Sequence, residues 1–369
     1  MQCTYFQKIR IDVTDKDGNT ARLFYFRVTL WLRKLTEKDL HLDAVLHHDM
    51  SMKKKTAGFE SIEFEHCALP ECDFNTIDLS TEFLGHRLAL PFLISSMTGG
   101  ARDAETINCR LAEAASELGI AMGVGSQRIS LEESQHSGLG KTIRELAKGV
   151  PLYSNLGAAQ LRDKGKLDNA QRAVEAIQAD ALFVHVNPMQ EAFQKNGDHN
   201  WIGVLHAIEQ LKPRVNVPII IKEVGFGISG DVAQRLVDAG VDAIDVAGAG
   251  GTSWSAVEGY CQDNPHMQRA AELFRDWGIP TATCLAQIRA QHPKLPLIAS
   301  GGIHNGLEAA KAIHLGANLV GQAGAVLKAA TISTQLVVDH FEQMALELRL
   351  ACFGTGSAKV LALTKARRL

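Results

Sequence analysis

"LFVHVNPMQEAFQ", residues 182–194, opens as a covered β-strand and closes as something else. Leu182, Phe183, Val184 and Val186 suit a strand buried on both faces, whereas His185 and Asn187 interrupt the run and Pro188 cannot extend a sheet ladder. Residues two apart share one face of a strand, so His185 and Asn187 point the same way, with Gln190 and Glu191 just beyond the turn. The pattern predicts a buried strand whose end holds polar side chains in position.

Seven further runs have this character, each β-rich with Gly, Ser, Asn or Thr at or next to its end: 91–100, 119–126, 151–158, 217–225, 241–251, 296–302 and 317–324, with 181–187 the fourth in chain order. Between them lie segments of helical period such as "LDNAQRAVEAIQA" (167–179) and "SGDVAQRLVDAG" (229–240), the second ending at a glycine suited to a left-handed cap. Alternation of this kind implies parallel strands with right-handed crossovers, and eight units predict an α/β fold of the TIM (β/α)8 barrel type. An open doubly wound sheet is the alternative. Residues 1–35 read as an atypical N-terminal extension and 36–369 as the barrel domain, with 36–90 expected to form small strands and helices packed on one end.

Composition narrows the function classes. With 38 basic and 41 acidic residues the chain lacks the basic excess of a nucleic-acid binder, and its one basic run, Lys53–Lys55, reads as a solvated loop. Seven dispersed cysteines without a CxxC pair fit a reduced, cytoplasmic chain rather than a disulfide framework or zinc site. The apolar segment "LFYFRVTLWLRK" (23–34) is split by Arg27, and no stretch approaches the roughly 18 apolar residues of a membrane span.

In a barrel of this type the chemistry sits at the C-terminal strand ends. There the second run places Ser126, Gln127 and Arg128, the third Asn155, and the fifth Lys222 and Glu223. A lysine within "PIIIKEVG" must leave water and so needs an anionic partner; Glu223, its sequence neighbour, faces the opposite side. Three glycine-rich turns, "AGAGGTS" (247–253), "SGGIHNG" (300–306) and "GQAGA" (321–325), follow consecutive strands. Their amides, with a helix N-terminus expected near Asn305 or Gly306, suit a phosphate. His185 alone would read as a core histidine, but Asn187, Gln190, Glu191, Arg128, Asn155 and Lys222 converge on the same end. Glu191 could hold Mg2+ through waters with a substrate phosphate completing the shell, or serve only as a first-turn helix charge.

Taken in order, "SSMTGG", "GSQR", "SNLGA", "HVNPMQE", "IIKEVGFGIS", "DVAGAGGTSW" and "ASGGI" resemble the type 2 isopentenyl-diphosphate isomerases, FMN-dependent barrel enzymes, from about His41 to the C-terminus. The resemblance implies that Ser96, Met97, Thr98 and Gly99 lie along the flavin, that Ser126 and Asn155 bond its ring, and that Lys222 faces flavin N1 and O2. It implies an FMN-phosphate site at Thr252, Gly301, Gly302, Ala323 and Gly324. Substrate prenyl diphosphate would meet Lys38, His41, Ser126, Gln127, Arg128, His185 and Asn187, with Gln190 at the reacting carbons and Glu191 on Mg2+. Catalysis would fall to Gln190, Lys222 and His185. One departure concerns substrate affinity: the family opens Arg-Lys-x-x-His, whereas the frame ending at His41 reads Glu37, Lys38, Asp39, Leu40, with Arg33 and Lys34 four residues earlier.

The implied reaction, a step of isoprenoid biosynthesis, moves a double bond by adding one proton and removing another. Gln190 is a neutral amide, able to relay or orient but not to act alone, which leaves reduced FMN as acid-base partner, with NADPH as an external reductant. Two other readings stay open. A hydroxy-acid oxidoreductase would need a histidine base paired with arginine at the later strand ends, where glycine stands here; a non-catalytic flavin binder would follow if the altered N-terminal segment cannot capture substrate. The resemblance also implies a homo-oligomer, a tetramer or larger.

Overall fold

Period-two alternation in the eight predicted runs builds a closed parallel barrel. The structure, a computed structural model, describes residues 36–97, 103–132, 140–162 and 164–369. Thr98, Gly99, Arg33, Lys34 and the extension 1–35 lie outside the described residues. A short antiparallel hairpin, β1 (Thr81–Phe83) and β2 (His86–Leu88), precedes the barrel. The barrel strands are β3 (Phe92–Ile94), β4 (Ala121–Gly123), β5 (Leu152–Gly157), β6 (Ala181–His185), β7 (Ile219–Lys222), β8 (Ala243–Asp245), β9 (Leu297–Ser300) and β10 (Leu319–Gln322). They pair in chain order and β10 closes on β3.

Alternation sorts each strand between two cores. Leu93, Ala121, Tyr153, Phe183, Ile220, Ala243, Ile298 and Leu319 point inward and pack together, with Tyr153 and Phe183 meeting edge to face at 5.4 Å. Phe83 and Leu88 from the hairpin join them, so the segment before the barrel closes its N-terminal end. The alternate residues, among them Ile94, Met122, Leu182, Val184, Ile221 and Ile244, face outward to the helices. Each fully buried side chain of this size contributes about 1.5–3 kcal/mol by leaving water. Asn169–Ile177 and Gly230–Asp238 form the two expected helices; Ser229 caps the second, and Gly240 beyond it takes φ +84°.

Moving two residues along every inward-facing position reaches a different layer. Leu93 leads to Ser95, Ala121 to Gly123, Tyr153 to Asn155, Phe183 to His185, Ile220 to Lys222, Ala243 to Asp245, Ile298 to Ser300 and Leu319 to Gly321. One rung is apolar and the next is polar or glycine. Register sets part of this rung side by side, since His185 opposes Lys222 and Lys222 opposes Asp245. The barrel thus has a dry floor and a polar mouth.

Above that mouth lies the helix Glu37–His47, packed on the helix Trp254–Cys261 and lining the cavity with Lys38, His41, Leu42 and Val45. The Lys53–Lys55 run is a loop held by its own backbone, all three amides donating to Asp276 Oδ1. The six described cysteines are free thiols, and no helix among the described residues is long and apolar enough to cross a membrane.

Candidate active site

The polar rung opens into one cavity at the C-terminal strand ends. Of the residues singled out from sequence, Lys38, His41, Ser96, Met97, Ser126, Arg128, Asn155, His185, Asn187, Gln190, Glu191, Lys222, Thr252, Gly301, Gly302, Ala323 and Gly324 all line it.

Lys222 finds its anion on the next strand. Its ammonium lies 2.7 Å from Asp245 Oδ2, both groups buried, while Ser300 Oγ donates to Asp245 Oδ1 at 2.6 Å. Parallel register puts the two residues side by side, so the pair follows directly from strand order. Glu223 faces away, where its Oε2 accepts the amides of Val224, Gly225, Phe226 and Gly227 and fixes the loop that lines the cavity. Burial pushes its carboxyl up to about 7 against the pull of those four amides.

His185 donates from Nδ1 to Asn155 Oδ1 at 2.7 Å, since that oxygen can only accept. Burial first, then the nearby Lys38, Lys222 and Arg128 charges, press its pKa down to about 3, so the ring is neutral and Nε2 is an acceptor. The folded value lies below the ordinary 6.5, so the unfolded chain takes up a proton that the folded chain refuses. This contribution to stability is complete above the ordinary value and is lost as pH falls toward about 3. His185→Gln should therefore remove about 2 kcal/mol of the stability difference between about pH 7 and about pH 5, measured by urea denaturation at each pH. Equal differences in parent and variant would show that His185 does not carry it.

Past the proline, the helix Pro188–Phe193 turns Gln190 and Glu191 inward. Asn187 Nδ2 donates to Gln190 Oε1 at 3.1 Å and to Glu191 Oε1 at 3.0 Å, and Glu191 Oε2 accepts the Asp198 amide at 2.7 Å. Gln190 Nε2 then donates to Glu258 Oε1 at 2.8 Å. Glu258, almost fully buried, was not singled out from the sequence. It lies one helical turn after Trp254 in the helix Trp254–Cys261, and four-residue spacing gives both the same face. His41 closes the group, its Nε2 3.1 Å from Glu258 Oε1 and its ring edge-on to Trp254 at 5.5 Å.

Two expectations need correction. Gln127 does not line the cavity: it is fully buried, donating to the Ala173 carbonyl and accepting the Asn155 amide, because the chain leaves the strand at Gly123 and inward alternation lapses before residue 127. The helix N-terminus near Asn305 and Gly306 is also taken, since Asn305 Oδ1 accepts the Glu308 amide and the Gly306 amide donates to Glu347. The helix that starts at the cavity is Gly324–Ile332.

The cavity wall fits a flavin nucleotide. Among the described residues Ser95 Oγ and Ser96 Oγ are buried there without a hydrogen-bond partner, groups that a bound polar ring would satisfy. The glycine turns interlock: a Cβ on Gly301 would lie 2.1 Å from the Gly248 carbonyl oxygen, and Gly301 takes φ +97°. Backbone therefore reaches the mouth where a side chain would block it. Glu191 fits Mg2+ in the manner of sites with one carboxylate plus substrate phosphates, both of its oxygens being fixed by single hydrogen bonds at the cavity wall.

Comparison with known proteins agrees with this geometry. Solved structures of a mandelate oxidase with (S)-2-phenylpropionate (TM-score 0.64, 20% identity, 89% of this chain and 93% of that one) and of a Pediococcus acidilactici lactate oxidase (TM-score 0.64, 16% identity, 92% and 95%) share the fold. A family model described as FMN-dependent dehydrogenase matches residues 40–187 and 138–368, so barrel and site together define an FMN-dependent enzyme class. Proteins named isopentenyl-diphosphate delta-isomerase are far more similar. That of Vibrio parahaemolyticus serotype O3:K6 is 99% identical over 332 residues, covering 90% of this chain and 98% of its own length. That of Synechocystis is 47% identical over 328 residues, covering 89% and 94%. The chain belongs to the FMN-dependent, type 2 isopentenyl-diphosphate delta-isomerase family.

Proposed function

We propose that this chain interconverts isopentenyl diphosphate and dimethylallyl diphosphate, a double-bond shift without net redox change within isoprenoid biosynthesis. The observation that carries the reading is the buried line Asn187–Gln190–Glu258 at the mouth of a flavin-family barrel. Taking a proton from one carbon and supplying one to another needs a group that ionises, and a neutral amide does not serve. Glu258 answers that need: its carboxylate holds or releases the proton, and Gln190, gripped at both ends, fixes the direction of transfer.

Arg128 and Lys38 provide positive charge for the diphosphate, with Asn187 and His185 beside them. Burial and then the Arg128 charge hold the Lys38 ammonium below its usual range, so an arriving diphosphate strengthens it. Glu191 would hold Mg2+, with substrate oxygens completing the shell. Ser95, Ser96, Ser126 and Asn155 would bond the flavin, Lys222 would stabilise negative charge on it, and Thr252, Gly301, Gly302, Ala323 and Gly324 would hold its phosphate. When bound, reduced FMN supplies acid-base chemistry at the alkene, its reduction coming from a donor such as NADPH. As the family resemblance implies, the protein would assemble as a homo-oligomer.

Anaerobic protein with reduced FMN, Mg2+ and isopentenyl diphosphate should yield dimethylallyl diphosphate with no stoichiometric flavin oxidation. Consumption of reductant in step with product would instead make it an oxidoreductase, and no product at all a flavin binder. Glu191→Gln should raise the Mg2+ concentration for half-maximal turnover by at least about tenfold with FMN still bound. Loss of flavin in that variant would remove Glu191 from its role.

A further inference from the structure

Glu37 stands beside a buried histidine and a buried glutamate. Glu37 and His41 lie four residues apart on the helix Glu37–His47, so both present to the same side, toward Glu258 on the packed helix Trp254–Cys261. One ligand atom from each, two carboxylate oxygens and an imidazole nitrogen, lies within 4.8 Å of the others. His41 is 6% exposed, yet its Nε2 has no hydrogen-bond partner among the described residues, because the Glu258 oxygen 3.1 Å away lies off the line of a hydrogen bond. A buried ring nitrogen left without a partner costs about 1–3 kcal/mol, which makes it a position awaiting a ligand rather than a packed core group.

We infer that Glu37, His41 and Glu258 form a second divalent-cation site, separate from the Mg2+ position at Glu191, for a transition ion of the Zn2+ kind. An imidazole nitrogen beside two carboxylates favours such an ion over Mg2+, which takes oxygen ligands and retains its waters. Bonds of about 2.0–2.2 Å need the three atoms drawn closer than they now stand. Glu37, partly exposed in the first helical turn, is the member placed to close the gap, and a fourth position remains for water. Lys38, whose charge acts on both Glu37 and Glu258, offsets part of their negative potential and sets a limit on affinity. The bound ion takes Glu258 Oε1 away from Gln190, so occupancy opposes turnover. That consequence rests on the isomerase reading; the site itself does not.

Calorimetric titration of ZnCl2 into FMN-loaded protein at saturating Mg2+ should give one ion per chain. Binding should weaken at least about tenfold in Glu37→Gln and in His41→Asn, and stay unchanged in Glu191→Gln. Because Glu37 is partly exposed, its variant should fold normally, which a matching thermal melt checks. No stoichiometric binding, binding untouched by either of the first two substitutions, or loss in Glu191→Gln would each overturn the site. In the same preparations Zn2+ should inhibit the parent and spare Glu37→Gln; stoichiometric binding without inhibition supports the site and counts against Glu258 as the proton carrier.

Discussion

Glu258→Gln should lower isomerase turnover by about 10²–10⁴-fold while flavin binding and folding stay near those of the parent. The range is that of a positioned general acid or base. Glutamine keeps the shape of the residue and can still offer an oxygen to Gln190 Nε2, now 2.8 Å from Glu258 Oε1, so the hydrogen-bonded line survives. The change removes only the capacity to take up and release a proton. Glu258 is buried behind Gln190 and His41 and lies on a different element from the Lys222–Asp245 pair and the glycine turns, which is why flavin affinity should not follow the loss. Steady-state turnover with reduced FMN, beside a flavin-fluorescence titration, measures both quantities. Turnover within about threefold of the parent would rule out a proton-carrying role.

Lys222→Met should cost about 3–5 kcal/mol of stability and abolish tight flavin binding. Asp245 is fully buried, and without the ammonium 2.7 Å away its charge keeps, among the described residues, only the Ser300 hydroxyl and the Ala247 amide. An uncompensated buried charge carries that penalty, whereas removing both members of a pair often costs little. The double variant Lys222→Met with Asp245→Asn should therefore regain most of the lost stability in urea denaturation and still fail to hold FMN, because the cation proposed to face the flavin is absent. A single variant as stable as the parent would mean that Asp245 is already neutral in the fold. Recovery of flavin binding in the double variant would mean that Lys222 serves the barrel and not the cofactor.

Much of the site is legible as a period. His185, Lys222, Asn155 and Ser300 each stand two residues beyond an inward-facing apolar residue of the same strand, and a short hydrophobic run that turns polar at its end reveals them without coordinates. Asp245 obeys the same rule after Ala243, yet "VDAIDVAG" gives no local sign that its partner is Lys222; that depends on which strands are neighbours and in what register. Gln127, in "GSQR", shows the limit of the period, for the chain has already left its strand and the side chain turns to Ala173 and Asn155. Glu258 was invisible for another reason. Within "WSAVEGYC" it resembles any glutamate of a short helix, and only the packing of that helix against Glu37–His47 and the mouth turns it inward. The helix start in "SGGIHNG" shows the same limit, for contacts that only the fold creates take up the Gly306 amide, while Asn305 takes up that of Glu308.

By itself the sequence determined the eight strands, the polar strand ends and the glycine turns, because alternation, a strand-ending proline and the space beside glycine are local properties of neighbouring residues. Tertiary structure alone decided the pairing of Lys222 with Asp245, the inward aim of Glu258 and its meeting with Gln190 and His41. Those contacts join residues from 23 to 217 positions apart in the chain, as the Lys222–Asp245 and His41–Glu258 separations show. Their energies depend on burial and register that exist only once the barrel has closed.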